Sequence, residues 1–375
     1  MEPAKPSLDL LRQLSDQHVL GALVDEPELT RAQIATRTGL SKPTVGESVR
    51  RLLELGALRD TGDRTGGRGR AGTLYALAED TGVALAVGVG PDGVRAEVVD
   101  VHGRVLAEAV AEVALPTTPE VLAAAIPKAA VRARSSAHGT VRLAVVSAAD
   151  PVDRASGALV HLPDAPFLVG DLAPVPLLAG LVDGEVVVDN DVNWAARAEL
   201  AAGAPDDVAY LYLDRGLGCA VVAEGRVLRG AHGLAGEVAH LVTTGPDGRA
   251  TAFTDLFAAL GLREPGSTAV DTAAVLRLSA STDAADRARL EALAVGVAGV
   301  LAALVALADP AEVVLGGAWG SHPALVERVG EVFGRMPRHV PVRRPEVTEH
   351  PALVGARQEA LRRLRELVVT GGAHG

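Results

Sequence analysis

VVVDNDVNWAARAEL, residues 186–200, begins as a β-branched apolar run, halts on Asp189-Asn190-Asp191 and continues in helix-forming residues. A strand that enters a helix through an acid-amide-acid turn is the mark of an α/β layer. Its polar turn lies at the strand's carboxyl end, where such layers bind their ligands. Taken alone, Asp191 fits a helix cap as well as a binding site, because Asp and Asn side chains accept from the free amides of a first helical turn. Asp189 is given a structural place only.

The same texture spreads outward from this stretch. Apolar runs recur at VALAVGVGPDGVRAEVVD (83–100), VRLAVVSAADPVD (141–153), VAYLYLDRGLGCAVVAEGRVL (208–228) and AEVVLGGAWG (311–320). Helical periodicity is predicted over 118–133, 194–202, 272–307 and 351–368. Residues 292–308 carry no charge. That run is shorter than the roughly 20 residues of a membrane-spanning helix, so it reads as a core helix stopped by Asp309-Pro310. At about 150 residues per domain, 375 residues predict two or three domains. The single cysteine, Cys219, excludes an internal disulfide and a cysteine-cluster metal site. It favours a reducing cytoplasm, and the mixed-charge start MEPAKPSLDLLRQL does not read as a secretory signal.

Charge is segregated. Between Arg31 and Gly72, nine basic residues face four acids, a local +5, while the rest of the −11 chain carries −16. A basic head on an acidic body suits a polyanion-binding module joined to a domain of another kind. In the head, Thr30 and Gln33 stand at capping-box spacing. Gly39 makes a turn, Ser41 and Pro43 open a second helix, and Val45, Val49, Leu52 and Leu53 form its buried stripe. Two short helices across a glycine turn, followed by two short strands around a Gly/Arg hairpin, form a winged helix-turn-helix. Ser41, Lys42, Thr44 and Glu47 lie at the start of the second helix, where the edges of bases would be read. Arg50 and Arg51 are placed for phosphates, and Arg68 and Arg70 for phosphate or the minor groove. The plainer alternative is a helical bundle with a solvated charged face.

With NDVNWAA, GLGCAVVAEGRVLRGAHGLAGEVAHL and VVLGGA following such a head, nearly the whole chain resembles the ROK family of transcriptional repressors and sugar kinases. The resemblance implies an α/β fold: a winged helix-turn-helix over 1–79, then a two-lobed, actin-like (sugar kinase/ribonuclease H-like) ATPase body. Its lobes would span 80–188, with 351–368 packing back on the first, and 189–350. In the sugar pocket, Asn190 and Asp191 match the family's sugar-contacting pair, Asp191 at the general-base position of kinase members. Glu237 and His240 match the acid and histidine after the GAHG loop; three apart, they would share one face of a helix. Asp164 stands where many relatives have Asn, and Asp255 where they have Glu.

The phosphate motifs depart from the family. In GVGPDG (88–93), Gly90 takes the position of the metal-organising Asp, and Pro91-Asp92 replace a Gly-Gly turn. Proline offers phosphate no N–H, and a carboxylate repels it. The second loop, Gly-Thr-Gly in kinases, is Asp214-Arg215-Gly216. The cysteines of the family's zinc cluster are missing from TTGPDGRATAFTD (243–255), so no cofactor is expected, neither zinc nor ATP. Gly216, Gly218, Gly316 and Gly317 read as turn glycines.

These readings converge on a non-enzymatic DNA-binding regulator, a repressor whose body senses a sugar or sugar derivative. Its expected partners are a roughly palindromic double-stranded operator, the sugar effector and a second copy of the chain, with a dimer of dimers left open and no membrane involved. The alternatives are a sugar kinase that also regulates and a ligand-independent DNA-binding protein. Replacing Arg68 and Arg70 together by Ala is expected to weaken duplex binding and to flatten the slope of log affinity against log salt by about 2, since each phosphate contact releases close to one counterion. An unchanged slope excludes the wing from the interface.

Overall fold

The structure, a computed structural model, describes residues 8–64, 72–90, 93–114, 117–162, 166–167 and 172–371. Arg68, Arg70, Pro91, Asp92 and Asp164 lie outside the described residues. The head comprises α1 (Leu8–Asp25), β1 (Leu29–Thr30), α2 (Arg31–Thr38), α3 (Lys42–Glu54), β2 (Leu58–Arg64) and β3 (Thr73–Leu77), its strands ordered β1-β3-β2. Local chemistry sets these boundaries. Thr30 and Gln33 form the reciprocal capping box, Gly39 ends α2 in the left-handed region, and the Ser41 side chain accepts from Thr44 N–H at the start of α3. Ile34, Val45, Val49 and Leu52 are fully buried.

The head's proposed DNA residues divide. Ser41 and Lys42 are exposed at the first turn of α3. Glu47 and Arg50 pair with each other at 2.8 Å, and Arg50 also reaches Glu54. Arg51, expected at phosphate, instead holds the head together. Its guanidinium grips the buried Asp16 of α1 at 2.7 and 3.2 Å and donates to Ser48. Removing it would strand a buried carboxylate.

The first lobe contains β4 (Val83–Gly90), β5 (Gly93–Val99), β6 (Val105–Ala111), α4 (Pro119–Ser135), β7 (Val141–Ala148), α5 (Pro174–Leu178) and β8 (Val186–Asn190). After α6 (Asp191–Ala201) come β9 (Val208–Leu213), β10 (Leu217–Ala223), β11 (Arg226–Val227), β12 (Val242–Thr244), β13 (Ala250–Ala252) and α7 (Phe253–Ala259). The second lobe continues with α8 (Thr272–Ala280), α9 (Ala284–Ala308), β14 (Glu312–Gly316), α10 (Pro323–Phe333) and β15 (Val342–Arg343), and α11 (Pro351–Gly371) follows. The sheets are ordered β6-β5-β4-β7-β8 and β11-β10-β9-β14-β15. Each is an antiparallel meander continued by two parallel strands. The two lobes therefore share one topology.

One expected helix is two. Residues 281–283 interrupt 272–307 because Asp283 caps α9, accepting from the Ala285 and Asp286 amides at 2.8 and 3.3 Å. α9 is long and apolar enough to cross a membrane. In this fold it is the central helix of the second lobe, burying Leu293, Val297, Leu301 and Val305.

α11 returns to the first lobe and lies across α6, β4 and β7. At the crossing, a Cβ on Gly355 would meet the Trp194 carbonyl oxygen at 1.9 Å. Beyond it, Ala356, Ala360 and Leu364 share one apolar cluster with Val19, Leu20 and Leu23 of α1. The head is thus seated on the last helix. Gly355→Ala should cost about 2–3 kcal/mol by overpacking and lower the thermal midpoint, whereas Gly371→Ala, with nothing within 4 Å, should not. Equal midpoints for the two variants would contradict the close crossing.

Candidate functional site

The polar turn between β8 and α6 forms the floor of a cleft between the lobes. Asn190, not Asp191, is the cap of α6: its Oδ1 accepts from Val192 N–H at 3.0 Å and its Nδ2 donates to the Asp150 carbonyl at 3.3 Å. Asp191 is the first helical residue and accepts from the same Val192 amide at 2.7 Å. Asp189 is buried and structural, holding Asn193, the Asn190 amide and the Arg229 guanidinium.

Glu237 and His240 are not on a helix. Residues 228–241 form a loop in which Gly230, Gly233 and Gly236 take positive φ. The glycines permit close passage past both lobes: a Cβ on Gly236 would lie 1.8 Å from the Cys219 oxygen, and one on Gly233 would lie 2.0 Å from the Val152 oxygen. The loop thereby brings Glu237 and His240 to a cavity of about 240 Å³ that Asn190 and Asp191 also line. Asp255 stands apart, largely exposed and 3.8 Å from Arg263; its neighbour Thr254 lines the cavity instead.

Sequence reasoning missed Asp150. It follows β7, beside β8, and the strand-end rule that singled out Asn190 applied to it equally. Asp150 is buried, and among the described residues its Oδ2 has no hydrogen-bond partner. Burial, then the charges of Asp191 and Glu237, push its carboxyl up to about 7. Burial does the same for Asp191, also to about 7, with the Val192 amide opposing and Glu237 adding to the rise. Glu237, although exposed overall, is raised to about 7 by the desolvation its carboxyl meets in the cleft.

A model of the ROK family matches residues 84–358, most of the chain. The chain belongs to the ROK family. A MarR family model matches residues 13–69, the head. Among curated proteins, the xylose repressor of Caldicellulosiruptor bescii is 24% identical over 62% of this chain, which spans 59% of that protein. Two solved structures share the fold. A ROK family transcriptional regulator, described as a homologue of the E. coli MLC protein, has TM-score 0.65 and 17% identity, covering 96% of this chain and 99% of its own. A ROK hexokinase from Thermus thermophilus has TM-score 0.59 and 28% identity, covering 76% of this chain and 99% of its own.

A second cavity, of about 370 Å³, adjoins the first and is lined by Gly88, Gly90, Tyr210, Ser321 and others. Asp191, Val192, Tyr212 and Asp214 line both, so Asp191 stands where the cavities meet. The Asp214 carboxylate is saturated. Its Oδ1 accepts from the Arg215 amide at 2.9 Å and the Thr272 hydroxyl at 3.1 Å; Oδ2 accepts from the Ala318 amide at 3.2 Å and the Tyr212 hydroxyl at 3.1 Å. Of the glycines nearby, Gly317 makes a left-handed turn, whereas Gly218 and Gly316 lie in strands and permit close packing: a Cβ would meet Val192 at 2.9 Å and Tyr210 at 2.1 Å, respectively.

The zinc that ROK resemblance implies does not fit the residues present. After His240 the chain forms the β12–β13 hairpin, which has no thiol, and Cys219 is buried in β10 with burial pushing its thiol up to about 12.

The three raised carboxyls of the cleft predict a pH dependence of stability. The unfolded chain titrates them near pH 4 and the folded chain near 7, so between these values the native state binds more protons. Ligand-free stability should therefore fall as pH rises from about 4 to 7. Asp150→Asn should raise the melting temperature at pH 8 and matter less at pH 5. A variant less stable than wild type at pH 8 would show that the Asp150 charge is compensated in the fold.

Proposed function

We propose that this chain is a cytoplasmic, homodimeric DNA-binding repressor whose kinase-like body binds a sugar or sugar derivative without phosphorylating it. The observation that carries the second half is Asp214. Phosphoryl transfer needs backbone amides free to cradle phosphate and a metal to neutralise it. Here the Arg215 and Ala318 amides are turned onto a carboxylate of the chain itself. The negative charge is already in place, and an incoming phosphate meets repulsion. Asn190, Asp191, Glu237 and His240 are the proposed ligand contacts, with Asp191 kept at the base position for recognition. The name of the xylose repressor supports the class of sugar-responsive repressor, not the particular sugar.

Support for DNA binding comes from the winged head, its MarR family match and the exposed first turn of α3 carrying Ser41 and Lys42, with Thr44 on the same turn. The Asn190 cap begins α6, α6 crosses α11 at Trp194 and Gly355, and α11 shares its apolar cluster with α1. Closure of the lobes on a ligand would move this stack and respace the two heads of a dimer, coupling ligand and operator affinity reciprocally.

The full chain, incubated with ATP, Mg²⁺ and a panel of hexoses, should show no turnover above a control lacking protein; turnover would overturn the sensor reading. Genomic duplexes selected by the full chain should contain a two-fold symmetric sequence. Lys42→Ala and Thr44→Ala should reorder its preference among them, and equal losses on every duplex would count against base readout.

A further inference from the structure

The sugar end of the cleft is unbalanced in charge. Among the described residues, the lining of the 240 Å³ cavity includes the carboxyls of Asp150, Asp191, Asp214 and Glu237, one guanidinium, Arg215, and the imidazole of His240. Arg215 is paired with Glu264 at 2.8 Å, and Asp214 already holds four donors. The remaining three carboxyls come from separate segments: the end of β7, the start of α6 and the glycine-rich loop. Asp150 is the decisive member. It is 3% exposed, its Oδ2 has no partner, and its own carbonyl is held by Asn190. A buried carboxyl in that state must keep a proton or meet a cation.

Resting on the sensor reading above, we propose that the effector is a cationic sugar: a polyol carrying a free, protonated primary amine that Asp150 receives, with Asp191 and Glu237 beside it. An ammonium brings three N–H donors and a positive charge, matching carboxylate oxygens that a hydroxyl satisfies only in part. A phosphosugar would set a dianion against the same oxygens, and an N-acetylated sugar has lost the charge. Burial together with Asp191 and Glu237 raises the Asp150 carboxyl to about 7. Near neutral pH the ligand-free cleft therefore holds protons that a bound ammonium displaces.

Calorimetry and thermal shift on the full chain at pH 7 test this with glucosamine, galactosamine and mannosamine against the corresponding neutral hexoses and their N-acetyl forms. At least one free amine should bind about tenfold or more tighter than both of its neutral counterparts. Its binding should release protons, read as a dependence of heat on the buffer's ionisation enthalpy. Asp150→Asn should bring the amine-to-neutral affinity ratio close to one, and its melting curve at pH 8 separates lost recognition from lost fold. A neutral or N-acetyl sugar that binds equally well and is lost in Asp191→Ala would overturn the cationic effector while leaving the sensor intact. Binding by no sugar of any kind sinks both readings. Stabilisation by Ca²⁺ or Mg²⁺ alone, abolished in Asp150→Asn, would make the cluster a metal site and end the assignment.

Discussion

The crossing of α6 and α11 is the contact on which the rest of the body depends. Gly355 passes so close beneath the Trp194 backbone that no side chain fits, and the Trp194 indole donates to the Val146 carbonyl in β7 at 3.0 Å. Arg197 lies over the same ring and pairs with Glu359 of α11, which also takes Arg362 and Arg363. Burial alone would push the Glu359 carboxyl up. The guanidiniums outweigh it and hold the carboxyl near 2, so the charge persists at neutral pH with partners on most sides. Because the helix held in this way also carries the head, a rigid contact joins the ligand turn to the DNA-binding module.

The acids of the cleft divide into two kinds. Asp189 and Asp214 are saturated, one by Arg229, Asn193 and the Asn190 amide, the other by two amides and two hydroxyls. Both are parts of the scaffold, and of the two only Asp214 lines a cavity. Asp150, Asp191 and Glu237 instead have carboxyls raised by desolvation, Asp150 buried, Asp191 half-buried and Glu237 exposed overall, and shifts of this kind cluster at functional sites. On the reading proposed above, a ROK body can lose its phosphate end and retain its ligand end. The two cavities are lined by different loops, and among the described residues only Asp191, Val192, Tyr212 and Asp214 belong to both.

Much of this was legible in the chain itself. The caps of α2 and α3, their buried stripe and the α/β alternation follow from side chains acting on their own or adjacent turns, and such interactions are written at short spacing. The break at 281–283 was legible too, in an aspartate placed to cap, but an unbroken apolar rhythm on either side concealed it. Glu237 and His240 were matched to the pocket while being assigned to a helix; the glycines beside them, each with positive φ, carried the correction. Asp255 shows the limit of matching by position. One residue earlier on the same helix, Thr254 lines the cavity.

By itself the sequence determined the local order: which segments fold as strands and helices, where they are capped, and that a basic head precedes an acidic body. Only the tertiary structure decided what the acids do. Asp189, Asp150 and Asp214 are the same residue type, and each stands at or just past the carboxyl end of an apolar strand. Their roles differ because Arg229 is 40 residues from the first, Ala318 is 104 from the last, and no hydrogen-bond donor among the described residues reaches Oδ2 of the second. A carboxylate's state is set by the donors and dielectric around it, and those arrive from distant parts of the chain only when it folds.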